Sequence, residues 1–324
     1  MKTPFATLAV LFLLIVACAG TQERASLTLS VNSWIGYGPF YLAQEKGFFT
    51  DEGLDVSIVT TEGTAERKAA MVANRIDVLG DTVDLLVLSR DEQVPSVAVM
   101  ELDVSNGADG IIVTDDIKTV ADLKGKSIAV QKNFVGESFL LYVLKKYDLS
   151  PDDVELIGME SGAAGAAFVA GSVDVAVTYE PWLSKAKERE NGKILISSAD
   201  EPGVIVDILS VHEDVLAQRP DDIKKLMRAW FRAVDYAKQN PEEANAIMAK
   251  YYDLPPQEFA DILTGVEWPG YEENKAYFGN AEAPGRILDV ADVFSSAFLE
   301  IGIIKERPDM QQAVDGSLLA TLYG

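Results

Sequence analysis

The chain has 324 residues, 48% of them hydrophobic, which is enough for two domains or for one two-lobed body with a substantial core. It carries 51 acidic side chains against 28 lysines and arginines, a formal net charge of −23, and no block of basic residues offsets this charge. Nucleic acid and anionic lipid surfaces would be repelled, so we exclude nucleic acid as a partner.

The N-terminus has the pattern of a bacterial export signal. Lys2 precedes a largely apolar stretch over residues 5–16, and the run Ile15-Val16-Ala17-Cys18 holds the one cysteine of the sequence. This run resembles the lipobox of lipoproteins, in which the cysteine is acylated after cleavage. We predict a signal peptide over 1–17, lipidation of Cys18, and a protein held by lipid at the cell envelope, outside the cytoplasmic membrane. The alternatives are an ordinary signal peptide and a short transmembrane anchor, although about 20 apolar residues are needed to span a bilayer.

Behind a linker over 18–26, strands and helices alternate along the chain. The predicted strands cover 27–31, 54–59 and 77–80, and the predicted helices cover 39–46 and 64–74. Asp81 and Thr82 then form a predicted loop. This alternation favours an α/β fold with a largely parallel sheet.

The same pattern recurs further along the chain. Segment 127–130 is a predicted strand and 137–146 a predicted helix, 153–157 repeats 55–59, and Asp174 stands 97 residues after Asp77 in a matching context. We therefore predict two similar α/β lobes. Predicted crossovers at 105–110 and near Pro202 assign 27–110 plus 204–324 to the first lobe and 111–203 to the second.

The C-terminal third is predicted to be helical and to close onto the first lobe. One helix has apolar residues at helical spacing, namely Ile223, Leu226, Met227, Trp230, Phe231 and Val234. This stripe is typical of a buried face, so we assign Trp230 to the core rather than to a cleft. Pro241 ends that helix, and a further helix is predicted over 242–251.

Catalysis has few candidate residues in this chain. His212 is the one histidine and is predicted to lie in a loop or at the surface, while Cys18 is committed to lipid. Cys/His metal sites, thiol nucleophiles and a Ser-His-Asp triad are therefore not expected, and no Walker-type loop or complete dinucleotide fingerprint is present. We predict no catalytic residue, no metal and no cofactor.

Binding is better supported by the sequence. In parallel α/β sheets, ligands contact the loops beyond the carboxyl ends of the strands, and two closing lobes would bring such loops face to face. The predicted ligand-binding residues are Trp34, Tyr37, Glu62, Asp81, Thr82, Asp109, Glu137, Glu180 and Trp182. For each acid, the alternative is a solvated surface residue.

Five segments resemble one known family. They are 34–43 (WIGYGPFYLA), 46–49 (KGFF), 52–56 (EGLDV), 122–126 (DLKGK) and 180–182 (EPW). The family is that of the ABC-transporter substrate-binding proteins for nitrate, taurine, alkanesulfonates and thiamine pyrimidine. The resemblance implies the type II periplasmic-binding-protein fold, two hinged lobes, and delivery of a small molecule to an ABC permease and its ATPase. We expect a monomer.

The family also includes a fold relative that synthesises the thiamine pyrimidine with a histidine and a cysteine-rich segment. This chain lacks the cysteine-rich segment and has a single histidine, which disfavours that activity. A sensor subunit that signals to a membrane receptor is a further alternative.

The predicted loops also indicate a ligand class. They carry five acids and no lysine or arginine, and burying several carboxylates around an anion would be costly. A planar ligand rich in N–H groups, such as guanidine, urea or an amidine, would pair with carboxylates and stack on Trp34, Tyr37 or Trp182. An aminopyrimidine and a sulfonate or nitrate anion are the alternatives.

Overall fold

The computed structural model of the protein describes residues 25–279, 283 and 285–324. The predicted signal peptide, the predicted lipidation site Cys18 and most of the predicted linker lie outside these residues. Within the described ranges, no helix is both long enough and apolar enough to cross a membrane.

The described residues form eleven strands and fourteen α-helices. The strands are β1 Ala25–Val31, β2 Leu54–Thr60, β3 Val78–Thr82, β4 Ser96–Ser105, β5 Asp109–Thr114, β6 Ser127–Val130, β7 Glu155–Gly158, β8 Val175–Tyr179, β9 Gly192–Ser197, β10 Val206–His212 and β11 Val266–Glu267. The α-helices are α1 Gly38–Glu45, α2 Phe48–Asp51, α3 Thr64–Val72, α4 Val83–Asp91, α5 Val135–Lys146, α6 Ser161–Val169, α7 Trp182–Lys185, α8 Glu213–Gln218, α9 Pro220–Gln239, α10 Pro241–Met248, α11 Pro256–Leu263, α12 Tyr271–Phe278, α13 Arg286–Glu300 and α14 Ser317–Ala320. Single 3₁₀ turns cover Ile35–Tyr37, Val120–Leu123, Pro151–Asp153, Ala186–Glu188, Ser198–Asp200, Ala249–Tyr252 and Met310–Gln312.

The strands form two sheets, one in each lobe. The first has the order β11-β4-β10-β3-β1-β2, and the second has the order β7-β6-β8-β5-β9. Each sheet contains three parallel strands in the same arrangement, β2-β1-β3 and β7-β6-β8, followed by an antiparallel strand, β10 or β5. The predicted α/β fold with two lobes is confirmed, and the matching parallel cores account for the repeat in the sequence.

The chain crosses between the sheets twice. It leaves the first sheet after Ser105 and enters the second at Asp109, and it returns between Ser197 and Val206. The two crossings are joined because the Ser198 hydroxyl lies 2.7 Å from the Ser105 hydroxyl and accepts a hydrogen bond from Gly107 N, also at 2.7 Å. The lobe limits predicted from the sequence stay a prediction, and the structure places 109–110, assigned there to the first lobe, in the second sheet.

Strand β3 is longer than the sequence predicts. Asp81 and Thr82, predicted to be a loop, are its last two residues, because β10 pairs with them from the other side. In that antiparallel register Ile208 lies opposite Asp81, and Asp207 lies opposite Thr82. A strand that returns from the second lobe therefore decides where β3 ends.

His212 is not the loop or surface residue that we predict from the sequence. It is the last residue of β10 and only 4% exposed. Its Nδ1 accepts a hydrogen bond from Asp214 N at 3.1 Å, so the ring caps the N-terminus of α8. The imidazole therefore has a structural role.

Helix α9 holds the start of the first lobe in place. Its predicted apolar stripe is buried, and the Trp230 side chain is fully buried against Phe40 of α1, with 4.3 Å between the ring centroids. Replacing such a tryptophan by alanine costs about 3–5 kcal/mol of stability. Helix α1 starts directly after Tyr37, with Pro39 in its first turn, so this packing also fixes the position of Tyr37.

Candidate ligand-binding site

A cavity lies between the two lobes, at the carboxyl ends of β1, β3 and β8 and at the starts of β5 and β10. It is lined by Asn32, Trp34, Tyr37, Arg67, Asp81, Thr82, Leu85, Asp109, Phe134, Val135, Tyr179, Ile205 and Asp207. Its empty space, including the mouth toward solvent, is about 310 Å³. The enclosed part of that space is about 10 Å³, room for about one water molecule in this arrangement of the lobes.

The lobes touch each other across the cavity. The Ser33 hydroxyl of the first lobe lies 3.1 Å from the Tyr179 hydroxyl of the second. The Trp34 and Tyr179 rings meet edge to face, with centroids 5.7 Å apart and planes at 83°. Gln131 Nε2 also donates to the Glu62 carbonyl at 3.4 Å. These contacts define a closed arrangement of the two lobes.

Five of the residues predicted from the sequence line this cavity. Trp34 and Tyr37 come from the turn after β1, and Asp81 and Thr82 from the end of β3, while Asp109 starts β5 of the second lobe. All five are buried, with exposures of 4% or less. Residues of both lobes therefore line the cavity, from the turn after β1, the end of β3 and the start of β5.

Glu62 and Trp182 lie outside the cavity. They line a separate, more open depression at the lobe boundary. The Glu62 carboxylate accepts hydrogen bonds from Ser33 N at 2.9 Å and from the Ser33 hydroxyl at 3.3 Å. Lys185 Nζ lies 4.7 Å from the centroid of the Trp182 ring. Ligand contacts by these two residues stay a prediction.

Glu137 and Glu180 also lie outside the cavity, and both hold local backbone. Glu137 accepts a hydrogen bond from Asn133 N at 2.5 Å, in the turn that starts α5. Glu180 is 6% exposed and accepts from Ser184 N at 3.0 Å and from the Ser184 hydroxyl at 2.7 Å, in the short helix α7. Roles of these two acids in ligand binding likewise stay predictions.

Arg67 is a cavity residue that the loop-based prediction missed. It lies on α3, behind the loop that we considered, and its side chain is 3% exposed. Among the described residues that line the cavity, it is the one cation. The spacing of Thr64, Arg67 and Met71, which places them on one helical face, was a signal in the sequence. The structure buries all three.

Asp207 is the second residue missed by the prediction, and it belongs to a group of buried acids. Its Oδ1 accepts a hydrogen bond from the Tyr37 hydroxyl at 2.5 Å. Behind it, Asp103 accepts from Trp34 Nε1 at 3.0 and 3.2 Å. These bonds orient both aromatic side chains. A lone acid within an apolar strand such as 206–211 was the available signal.

Burial raises the pKa values of the cavity carboxyls. Burial, opposed by the Arg67 charge, raises the pKa of Asp81 to about 6. Burial, opposed by a hydrogen bond from Ser105 and assisted by the charge of Asp84, raises the pKa of Asp109 to about 7. Burial and the charge of Asp103 raise the pKa of Asp207 well above its usual range. Near neutral pH the cavity therefore offers both carboxylate acceptors and protonated carboxyl donors.

Within the described ranges, no three histidine, aspartate or glutamate side chains converge as a metal site would require. Two of the buried acids, Asp103 and Asp207, instead accept hydrogen bonds from the Trp34 indole and the Tyr37 hydroxyl. The polar groups and aromatic walls of the cavity fit recognition of a small organic molecule.

The chain belongs to the NMT1/THI5-like family, whose model matches residues 34–244. It is 25% identical over 295 residues to the putative binding protein YtlA of Bacillus subtilis, covering 86% of this chain and 85% of the relative. It is 24% identical over 323 residues to a putative aliphatic sulfonates-binding protein of the same species, covering 93% and 96%. It is 26% identical over 258 residues to a 4-amino-5-hydroxymethyl-2-methylpyrimidine phosphate synthase of Aspergillus parasiticus, covering 75% and 72%.

The fold is shared with solved binding proteins. The alkanesulfonate-binding protein SsuA of Xanthomonas axonopodis pv. citri, solved with MOPS, superposes with a TM-score of 0.75 at 19% identity, covering 90% of this chain and 99% of SsuA. The resemblance to substrate-binding proteins, and the periplasmic-binding-protein fold that it implies, are thus confirmed. Two of the three sequence relatives are named binding proteins, and the third is named a synthase.

Proposed function

We propose that this protein is the lipid-anchored, extracytoplasmic substrate-binding component of an ABC importer, and that its lobes close on a small planar ligand rich in N–H groups. Guanidine, urea and amidines are the ligand class. The observation that carries the ligand proposal is that Asp81, Asp109 and Asp207, all at most 4% exposed, line one closed cavity.

Buried carboxyl groups favour a ligand that donates hydrogen bonds. A carboxylate taken out of water is destabilising unless donors satisfy its oxygens. Two further aspartates, Asp84 and Asp103, are buried nearby with exposures of 1% and 0%. A planar array of N–H groups would satisfy two carboxylate oxygens at once, and the Trp34 and Tyr37 rings offer surfaces to stack against.

An aminopyrimidine is the second candidate, and the aromatic lining favours it. Phe134 and Tyr179 of the second lobe, with ring centroids 6.2 Å apart, add to Trp34 and Tyr37 of the first. A flat heterocycle carrying an amino group would combine stacking with pairing to a carboxylate. Relatives named for sulfonates make an anion a third candidate, which the same experiment tests.

Transport, rather than catalysis, is the role that we propose. A fold relative that acts as a pyrimidine synthase makes turnover the rival hypothesis, and a sensor subunit is another. Incubation with each bound compound should return it chemically unchanged, as followed by mass spectrometry. Turnover of any compound would replace the transport hypothesis with an enzymatic one. Ligand-dependent binding to a co-encoded permease and ATPase would favour import over sensing.

A ligand panel tests the proposed ligand class. Thermal shift and calorimetry should be measured with guanidine, urea, acetamidine, aminopyrimidines, taurine, alkanesulfonates and nitrate. Stabilisation follows ligand concentration relative to Kd, so even a weak binder is detected. We expect shifts with N–H donors and none with the anions. Shifts with taurine or nitrate alone would overturn the ligand proposal and leave the family assignment intact.

A further inference from the structure

Arg67 reaches the cavity with hydrogen-bonding capacity to spare. Its Nη1 donates to the Gly80 carbonyl at 2.6 Å. Its Nη2 lies 3.9 Å from Asp81 Oδ1, which is beyond hydrogen-bonding distance. Its buried Nε has no hydrogen-bond partner within the part of the chain that the structure describes. A guanidinium group has five N–H donors, so most of this one's capacity is open.

An open, buried guanidinium requires an acceptor. With a side chain only 3% exposed, Arg67 gains little from bulk water. The Asp81 carboxylate attracts Arg67 electrostatically, but at 3.9 Å the two groups form no hydrogen bond. An oxygen atom of a bound ligand would complete the donor set. An N–H group placed there would instead face another donor and a positive charge.

The remaining polar groups of the cavity favour hydrogen-bond donors on the ligand. Asp109 lies on β5 and Asp207 on β10, whereas Asp81 lies on β3. Carboxyl groups accept hydrogen bonds from N–H groups. Raised pKa values at both acids reduce the negative charge near neutral pH. The cavity thus combines one fixed cation with partly neutral acids, which suits an uncharged ligand that carries both donors and an acceptor.

Building on the proposed function, we infer that Arg67 is a specificity-determining residue that selects N–H ligands bearing a carbonyl oxygen. Ureas, carboxamides and amino-pyrimidinones belong to this class. Guanidinium and amidinium ions have the same shape with a nitrogen in place of the oxygen, and within the proposed ligand class we expect them to bind more weakly than the oxygen-containing members.

Matched ligand pairs test this inference. Each pair differs by one oxygen and one nitrogen: urea against guanidinium, acetamide against acetamidinium, and cytosine against 2,4-diaminopyrimidine. Calorimetric Kd values give a preference ratio for each pair. For whichever pair binds, we expect the wild-type Kd of the oxygen-containing member to be more than tenfold lower than that of the nitrogen-containing member. Arg67→Met should reduce this ratio to about one, because it removes the donors and the charge that repels a cation.

Two further variants separate recognition from folding. Arg75→Met removes a charge from an exposed residue just after the same helix, and it should leave the ratio unchanged. Arg67→Lys keeps the charge without the planar fork and should give an intermediate ratio even if Arg67→Met unfolds. An unchanged ratio in Arg67→Lys, or a wild-type preference for the nitrogen members, overturns the inference while the proposed function stands. Absence of binding by every N–H compound overturns the proposed function itself.

Discussion

Asp103 of β4 lies directly opposite Asp207 of β10 in the antiparallel register, and both side chains are buried. Each is held by an aromatic donor, Asp103 by the Trp34 indole and Asp207 by the Tyr37 hydroxyl. Burial, followed by the charge of Asp103, raises the pKa of Asp207 well above its usual range. The pair therefore retains protons at pH values where exposed aspartates have lost them. Strand β4 precedes the first crossing between the lobes, and β10 follows the second.

The buried acids predict a stability that falls as the pH rises. A carboxyl whose pKa is higher in the folded state favours folding below its unfolded pKa, and this contribution is lost as the pH rises through the folded pKa. For Asp109, burial moves the pKa from 3.8 to about 7, so the loss occurs between about pH 4 and pH 7. We expect Asp109→Asn to flatten the decline in Tm of the unliganded protein over this range. Asp55→Asn, on the exposed side of β2, is the control and should leave the decline as in wild type.

Asp81→Asn should weaken ligand binding without destabilising the protein. The substitution removes a buried carboxyl whose pKa burial raises to about 6, which favours folding, but it also removes the charge that faces Arg67. These effects oppose each other, so the unliganded Tm should change little. Loss of a charge-assisted hydrogen bond in a desolvated site costs about 2–4 kcal/mol, more than tenfold in Kd. Calorimetry with the compound identified by the panel gives the Kd. Unaltered affinity would remove Asp81 from the ligand contacts.

Glu180→Gln, unlike Asp81→Asn, should leave the ligand affinity nearly unchanged. Its two carboxylate oxygens are engaged by Ser184 N and the Ser184 hydroxyl, outside the cavity. We expect the substitution to change the stability by less than about 1 kcal/mol, because burial raises the pKa of the Glu180 carboxyl and its neutralisation offsets the weakened bonds to Ser184, and to change Kd less than threefold. Chemical denaturation and calorimetry measure the two effects. A large loss of affinity at unchanged stability would support the ligand contact that the sequence predicts for Glu180.

Tyr179→Phe should shift the lobes toward an open arrangement. The substitution keeps the ring that contacts Trp34 but removes the hydroxyl that lies 3.1 Å from the Ser33 hydroxyl. A hydrogen bond of this kind contributes about 0.5–1.5 kcal/mol, so ligand affinity should fall about two- to tenfold. The radius of gyration of the unliganded protein, measured by X-ray scattering, should increase. Tyr147→Phe, at a tyrosine that is 46% exposed, is the matched control and should show neither effect.

Cys18→Ala tests the lipid anchor that the N-terminal sequence predicts. The variant should not be acylated and should move from the membrane fraction to the soluble fraction after cell breakage. The folded body has no cysteine with which Cys18 could pair, so its Tm should remain that of the wild type. Membrane fractionation with metabolic labelling by a fatty acid measures both steps. Equal membrane association of the variant and the wild type would show that the lipoprotein assignment is wrong.

The sequence by itself determined the fold class and identified part of the cavity lining. Strand and helix periodicities are local, so the alternation along β1, α1 and β2 and its recurrence in the second lobe are visible without coordinates. Turns after parallel strands meet at one edge of a sheet, which is why Trp34, Tyr37 and Asp81 were identified. The family segments are likewise continuous in the chain.

Only the tertiary structure decided which polar groups face the ligand cavity. Arg67 enters it from the face of a helix, and Asp207 enters it from a strand that returns from the second lobe, 140 residues later in the chain. Glu180 lies outside the cavity lining, and Ser184, four residues away, engages both its oxygens. Side-chain direction and hydrogen-bond partners depend on how the two lobes pack and close. That packing is a property of residues distant in sequence, which no local pattern encodes.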